Sequence, residues 1–414
     1  MELQAADPGW STGRILRGEP GRAGRIGPIG SIARMGEVGG VGDVSDTGDA
    51  GPFGGGAMVG VLDDPRHGSA DTTEPDDLAT GALHGEDFAR ATFQHRRELL
   101  THCYRMLGSV HDAEDLVQET MLRAWRAHAD YDPTRASLRT WLYRIATNVC
   151  LTALDQRRRR PLPSGLVGPS AFDAALDRRP EVLWLQPLPD TLLTGAAADP
   201  AAVVAARGSV RLALVAALQY LPARQRAVLI LRDVLAWRAA EVADLLGTST
   251  AAVNSALQRA RTQLAELAPD QDQVADQPGN PDHRDLLERY VTAFQAADAD
   301  ALARLVREDI VCEMPPVTNW FCGRDPFIEF FRHSVFTTPE WRLVRANANG
   351  QPGFVSYKRH PDGCYRAHSA QVLTLTPTGI SALIAFNDPT LFPLYGVAMT
   401  RPAESFAANA FTGL

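Results

Sequence analysis

A chain of 414 residues is too long for one ordinary domain and predicts two to four. Hydrophobic residues make up 45% and charged residues 22%, ordinary values for a globular protein with a sizeable core. No apolar run reaches about 18 residues and no short apolar leader opens the chain, so neither a membrane span nor a secretory signal is expected, and the cytoplasm is the expected compartment. The net charge of −8 argues against a nucleic-acid partner only at first sight, because arginine and acid are concentrated in different stretches. The cysteines (Cys103, Cys150, Cys312, Cys322 and Cys364) lack zinc-ligand spacing, so reduced thiols are expected and neither metal nor cofactor is.

Residues 1–83 are rich in Gly, Asp, Pro and Ser and cannot bury enough surface to offset their ordering entropy, which predicts a disordered tail. Met35 and Met58 within it leave an internal translation start open. From 84 to 162 the pattern turns helical. Leu99, Leu100, Cys103, Met106 and Leu107 form one apolar stripe. Leu116, Val117, Thr120, Met121, Ala124 and Trp125 form a second, and Leu138, Leu142, Ile145, Ala146, Val149 and Leu154 a third. The proline-rich stretch 163–208 is a linker, in which Trp184 to Leu193 carries apolar anchors suited to docking. Helices return over 209–268, and a polar linker follows over 269–282. Residues 283–400 begin with helical periodicity from Leu286 to Val306 and continue with strand-like pieces at 310–314, 354–357, 369–375 and 380–386, before a tail over 401–414. The expected fold class is therefore multidomain: a disordered tail, two all-α domains and a C-terminal α+β domain.

The sharpest local signal is a helix-turn-helix over residues 239–258. Small Ala243 lets two helices approach, Gly247 provides the left-handed turn, Thr248 or Ser249 can cap the second helix, and Val253 and Leu257 face inward. That helix exposes Thr250, Asn254, Ser255, Gln258 and Arg259, with Arg261 extending the basic face. Asn and Gln suit adenine, while Arg suits guanine or phosphate. Around it, Leu221-Pro222-Ala223-Arg224-Gln225-Arg226, Leu231-Arg232, Trp237, Glu241, Leu246-Gly247 and Arg259-Ala260-Arg261 resemble region four of sigma-70 family transcription initiation factors. The resemblance implies binding to the minus-thirty-five promoter element and to the flap of the polymerase β subunit. The common form of this helix has Lys and Arg where this chain has Asn254 and Ala256, which implies a weaker electrostatic grip.

Two further matches lie upstream. Asp112-Ala113-Glu114-Asp115-Leu116-Val117-Gln118-Glu119-Thr120 with Leu122-Arg123-Ala124-Trp125 resembles the region-two helix that docks on the clamp of polymerase β′. Its apolar stripe faces inward and Asp112, Asp115, Gln118 and Glu119 stay outside, with Arg123 beside them, for a basic partner. Leu138-Arg139-Thr140-Trp141-Leu142-Tyr143-Arg144-Ile145-Ala146-Thr147-Asn148 resembles the segment that melts the minus-ten element. Arg135, Arg139, Arg144, Arg157, Arg158, Arg159 and Arg160 would hold phosphates. Trp141 and Tyr143 would offer aromatic faces to unstacked bases, with Asn148 on the same helix. Region two, linker and region four in that order resemble the extracytoplasmic-function class, which implies core RNA polymerase and promoter DNA as partners and a monomer when free. Residues 184–190, Trp-Leu-Gln-Pro-Leu-Pro-Asp, look like the linker of members with an appended domain.

The C-terminal part resembles the SnoaL-like group of the NTF2-like superfamily in Leu287 to Ala297, Asp309-Ile310-Val311, Met314-Pro315-Pro316, Phe327 to Phe331, Tyr365 to Ser369 and Asn387-Asp388-Pro389. The resemblance implies a cone-shaped fold and a domain that tunes the sigma regions, and it leaves a small-molecule ligand in the cone open. Asp309, Glu313, His368 and Asp388 are the catalytic candidates of a SnoaL-type enzyme, but structural duties are the favoured reading, so no catalysis is expected. Two rivals stand beside the sigma factor: a ligand-sensing helix-turn-helix regulator, and a SnoaL-type isomerase or cyclase with a DNA-binding anchor.

Overall fold

The computed structural model describes residues 85–155, 159–193, 207–267, 281–338 and 340–406. The tail over 1–83, nearly all of the linker over 269–282, and Arg157 and Arg158 lie outside them.

The first helical block contains α1 (Gly85–Phe93), α2 (Arg96–Leu107), α3 (Val110–Arg126) and α4 (Leu138–Asp155). Its core takes Leu99, Cys103, Val117, Ala124, Leu142 and Ala146 from the three stripes, all fully buried. Helix α2 stops at Gly108, where φ is 68° and the backbone N–H bonds Tyr104 O. Ser109 then caps α3 by accepting the Asp112 N–H at 3.2 Å. Gly108 serves close approach as well as turning. A Cβ there would lie 2.8 Å from Leu185 Cδ1 and 2.9 Å from Gln219. Trp125 departs from the expected inner stripe. Phe88 of α1 takes the buried place, and Trp125 lies 44% exposed, stacked on His128 at 5.3 Å.

The second block contains α5 (Leu212–Leu218), α6 (Ala223–Leu229), a wide turn over Ile230–Val234, α7 (Ala239–Leu246) and α8 (Thr250–Leu267). It does not stand apart from the first, because both blocks contribute to one continuous core. Tyr143, expected to offer an aromatic face outward, is buried against Trp237 with ring centroids 6.4 Å apart. Arg226 is 3% exposed and reaches from α6 to the carbonyl of Met106 at the end of α2. It also donates to Gln219 Oε1 at 2.8 Å and to the carbonyls of Gln219 and Leu221, both at 3.1 Å. Burial pushes its guanidinium down to about 10, so it stays charged at neutral pH. A cation suits the C-terminus of α2, where unpaired carbonyls gather partial negative charge.

The C-terminal domain contains α9 (Pro281–Gln295), α10 (Ala299–Ala303), α11 (Arg324–Phe330) and strands β1 (Val306–Glu313), β2 (Trp320–Cys322), β3 (Trp341–Arg345), β4 (Gly353–Arg359), β5 (Tyr365–Thr376), β6 (Gly379–Phe386) and β7 (Thr400–Arg401). The continuous helical run expected to Val306 breaks at Ala297, where φ is 53°, and Val306 opens a strand. The sheet order is β2-β1-β6-β5-β4-β3, with β7 on β5. Only the β1–β6 pairing is parallel. Helix α9 lies against the sheet through Tyr290 on Phe354 at 5.8 Å and Phe294 on Trp341 at 5.5 Å.

Between the blocks, residues 159–193 form a strap across the C-terminal domain. Ser170 N donates to Trp320 O, Arg179 N to Pro316 O and Thr318 N to Asp177 O, each at 2.8 Å. The expected anchors do dock, with Trp184, Leu185 and Leu188 buried. The β3–β4 turn closes the seam. Asn349 there is fully buried with φ at 59°. Its Oδ1 accepts the Leu188 N–H at 2.9 Å, and its Nδ2 donates to Tyr104 Oη at 2.8 Å and to Val210 O at 2.6 Å. Gln351 Oε1 accepts the Leu212 N–H at 2.9 Å, and Asp190 accepts the Gly350 N–H at 2.8 Å.

His102 is fully buried in the first block with Nε2 on Thr147 Oγ1 at 3.0 Å, and burial pushes its pKa down to about 3. The unfolded chain therefore takes up a proton below about pH 6.5 that the folded chain refuses, so stability is full above that pH and falls as pH drops toward 3. At about 1.4 kcal/mol per pH unit, urea unfolding at pH 5 should show a loss of about 2 kcal/mol from this group relative to pH 7. His102→Gln should lose that much less between the two pH values.

Candidate nucleic-acid interface

The outer face of α3 carries Asp115, Gln118 and Leu122 in solvent, with Glu119 and Arg123 beside them in an ion pair at 2.6 Å. Successive offsets of three and four put them on one stripe. Asp112 does not stay outside as expected. Its carboxylate is 17% exposed and paired with Arg160 at 2.5 Å, because the strap returns over the start of α3. Arg160, expected to meet phosphate, is instead buried in this pair and donates to Trp184 O at 3.0 Å, and Gln186 accepts from Ser109 Oγ at 2.7 Å. The strap thus covers one end of the acidic face. The sequence stripe also missed that Leu122 is 42% exposed, an apolar contact in the middle of that face.

The second set lies on and before α4. Arg135 and Asn148 are exposed. Arg139 pairs with Glu98 at 2.7 Å and sits 4.9 Å above the Tyr143 ring. Trp141 is half-buried between Phe88 at 6.1 Å and Tyr131 at 5.3 Å, so one edge packs and the rest remains open. Arg144 is not free to meet phosphate here. It pairs with Asp244 of α7, in the second helical block.

The third set lies on α8. Gly247 ends α7 with φ at 61°, and Ser249 caps α8 by accepting the Ala252 N–H at 3.1 Å. Val253 and Leu257 are buried at 1% and 6%, which turns Thr250, Asn254, Ser255, Gln258 and Arg259 outward together. Arg261 is held instead by both oxygens of Asp233, at 2.9 and 2.7 Å. Its side chain stays 55% exposed in that pair.

Each catalytic candidate of the C-terminal domain has a structural partner. Asp309 lies on β1 with a two-pronged pair to Arg307 at 2.7 and 2.8 Å. Glu313 is 4% exposed, accepts the Ser164 N–H of the strap at 2.9 Å, and is held above the usual carboxylate range by burial. Asp388 caps a short helical turn through Thr390 N at 3.0 Å. His368 sits edge-on to Trp341 at 5.0 Å. Phe294 stands edge-to-face with Phe331, Phe336 and Trp341, and Tyr290 Oη donates to Gln371 Oε1 at 2.9 Å.

Among the described residues, no helix is long and apolar enough to cross a membrane, and no cluster of His, Cys, Asp and Glu could hold a metal ion. Residues 93–160 match the family model for Sigma-70 region 2, residues 211–264 that for Sigma-70, region 4, and residues 287–380 that for the SnoaL-like domain. The ECF RNA polymerase sigma factor SigG of Mycobacterium tuberculosis is 51% identical over 314 residues, covering 75% of this chain and 84% of that protein. SigJ of the same organism is 33% identical over 284 residues, covering 64% and 81%. The crystal structure of SigJ, at 25% identity, covers 74% of this chain and 98% of its own with a TM-score of 0.48. A complete region two is superfluous to an operator-binding regulator or a DNA-anchored isomerase, so neither rival accounts for the chain. The protein belongs to the extracytoplasmic-function class of the sigma-70 family, carries a SnoaL-like domain at its C-terminus, and is a transcription initiation factor rather than an enzyme.

Proposed function

We propose that the chain brings core RNA polymerase to its promoters and that the arrangement described above is its closed, idle form. Asp115, Gln118, Glu119 and Leu122 of α3 meet the β′ clamp, with Arg123 alongside. Arg135, Arg139, Trp141, Arg144 and Asn148 capture the melted minus-ten strand, joined by Arg157 and Arg158. Thr250, Asn254, Ser255, Gln258 and Arg259, with Arg261 extending the basic face, read the minus-thirty-five element, and the second helical block touches the β flap.

The shared core of the two helical blocks, with Arg226 capping α2, carries the closed reading. Promoter elements named for positions about 25 base pairs apart lie roughly 85 Å apart at about 3.4 Å per base pair. Two blocks in direct contact cannot serve both, so they must part. Closure also pairs Arg144 with Asp244 and draws Asp112 under the strap, which withdraws one residue from each working face. The C-terminal domain holds this arrangement through Asn349, Gly350 and Gln351, and so represses.

Run-off transcription with core polymerase on a promoter library tests this. Asn349→Ala removes three of the seam bonds and leaves both sigma regions whole. It should raise initiation several-fold over the unaltered chain at the same start sites. Absence of initiation from every form of the protein would defeat the reading, and equal initiation from both would defeat repression by the seam. On a promoter found this way, Asn254→Ala should cost about 1–3 kcal/mol at the one base pair it reads, measured by gel shift across single-base variants at fixed salt.

A further inference from the structure

A cavity of about 350 Å³ opens where three parts of the chain meet. The first helical block gives it the start of α3, with His111 and Asp112. The strap gives Arg178, Val182 and Trp184, and the C-terminal domain gives Pro315, Asn387 and Leu391. That volume and that mix of apolar walls with a few polar groups are those of small-molecule sites.

The polar groups divide into spent and unspent. Asp112 and Arg160 neutralise each other at 2.5 Å, and Asp388 is engaged with Thr390 N and Oγ1 at 3.0 and 2.7 Å. Among the described residues, Arg178 has no carboxylate within ion-pair distance and the Asn387 side-chain amide makes no hydrogen bond. The wall beside Arg178 is electropositive. Lys358, Arg178 and His360 together reinforce the burial that holds the His368 ring neutral, pushed down to about 4. An unpaired guanidinium offers a planar fork of donors to an oxyanion. The charge of Asp388 across the cavity sets a limit and disfavours a dianion.

We propose that this seam cavity binds a small organic monoanion with a flat apolar body. Its acidic group meets Arg178 and Asn387, its body lies against Trp184, Val182 and Leu391, and its occupancy holds the chain closed. This rests on the closed reading above, because the strap wall exists only while the three parts are together. A ligand confined to one state shifts the balance by its differential affinity, so at 100 times its Kd the closed form gains about 100-fold.

The probes are 8-anilino-1-naphthalenesulfonate and its uncharged analogue N-phenyl-1-naphthylamine, titrated by fluorescence into the full chain. One saturable site is expected for the sulfonate. Arg178→Gln should weaken the sulfonate at least tenfold and change the uncharged analogue less than twofold. Val182→Trp should fill the cavity and weaken both. Run-off initiation should fall with the sulfonate for the unaltered chain and stay constant for Val182→Trp. Sulfonate binding unchanged by Arg178→Gln, or unchanged binding of both probes by Val182→Trp, overturns the site. Initiation indifferent to bound probe overturns its hold on closure. Failure of initiation without any probe touches only the sigma reading, since the titration involves no polymerase.

Discussion

Asn349 occupies a backbone position with φ at 59°, sees no solvent, and spends its whole side-chain amide on three other segments. Buried amides cost several kcal/mol when left without partners, so this turn is stable only with Tyr104, Leu188 and Val210 in place. Those partners belong to the first helical block, the strap and the approach to the second block. One residue of the sheet domain thus demands the presence of every other part. Asn tolerates the left-handed region better than most residues, and its carbonyl and amino group face two ways at once.

The other seam contacts follow the same logic of satisfying backbone groups that each part leaves open. Arg226 satisfies the carbonyl at the end of α2, Gln351 meets the Leu212 N–H at the start of α5, and Asp190 of the strap accepts the Gly350 N–H. Gly108 makes the approach feasible by having no Cβ. Apolar surface then fills the space between, with Leu185 and Leu188 fully buried. A helical block that left these groups unpaired in apolar contact would be unstable, whereas in water they are satisfied at little cost. That difference permits a seam that is tight when closed and tolerable when open.

Much of this was legible in the residues. The three apolar stripes of the first block, the Gly247 turn and the outward set on α8 follow from local periodicity and turn chemistry, which need no knowledge of neighbours. The later strands were legible from alternation. What was not legible involved partners distant in sequence. Asp112 reads as exposed on its own helix, and only Arg160, 48 residues away, removes it from solvent. Tyr143 and Trp237 are 94 positions apart, and Arg144 and Asp244 are 100 apart. Trp125 fits the inner stripe by spacing, yet Phe88 wins the site. The Asn349-Gly350 pair is an ordinary turn signal, and nothing local distinguishes it from a surface turn.

The seam at Asn349 is built from short-range bonds between neutral groups and from apolar contact. Such contacts scarcely feel dissolved ions, because screening acts on separated charges over about 8–10 Å. The grip of arginines on a nucleic-acid backbone, in contrast, falls steeply with ionic strength. The seam at Asn349 and the hold on DNA are therefore under different physical control. A rise in salt loosens the grip on DNA and the exposed Arg144–Asp244 pair together, and leaves the bonds of Asn349 almost untouched, so the seam outlasts ionic conditions that would strip a purely electrostatic clasp.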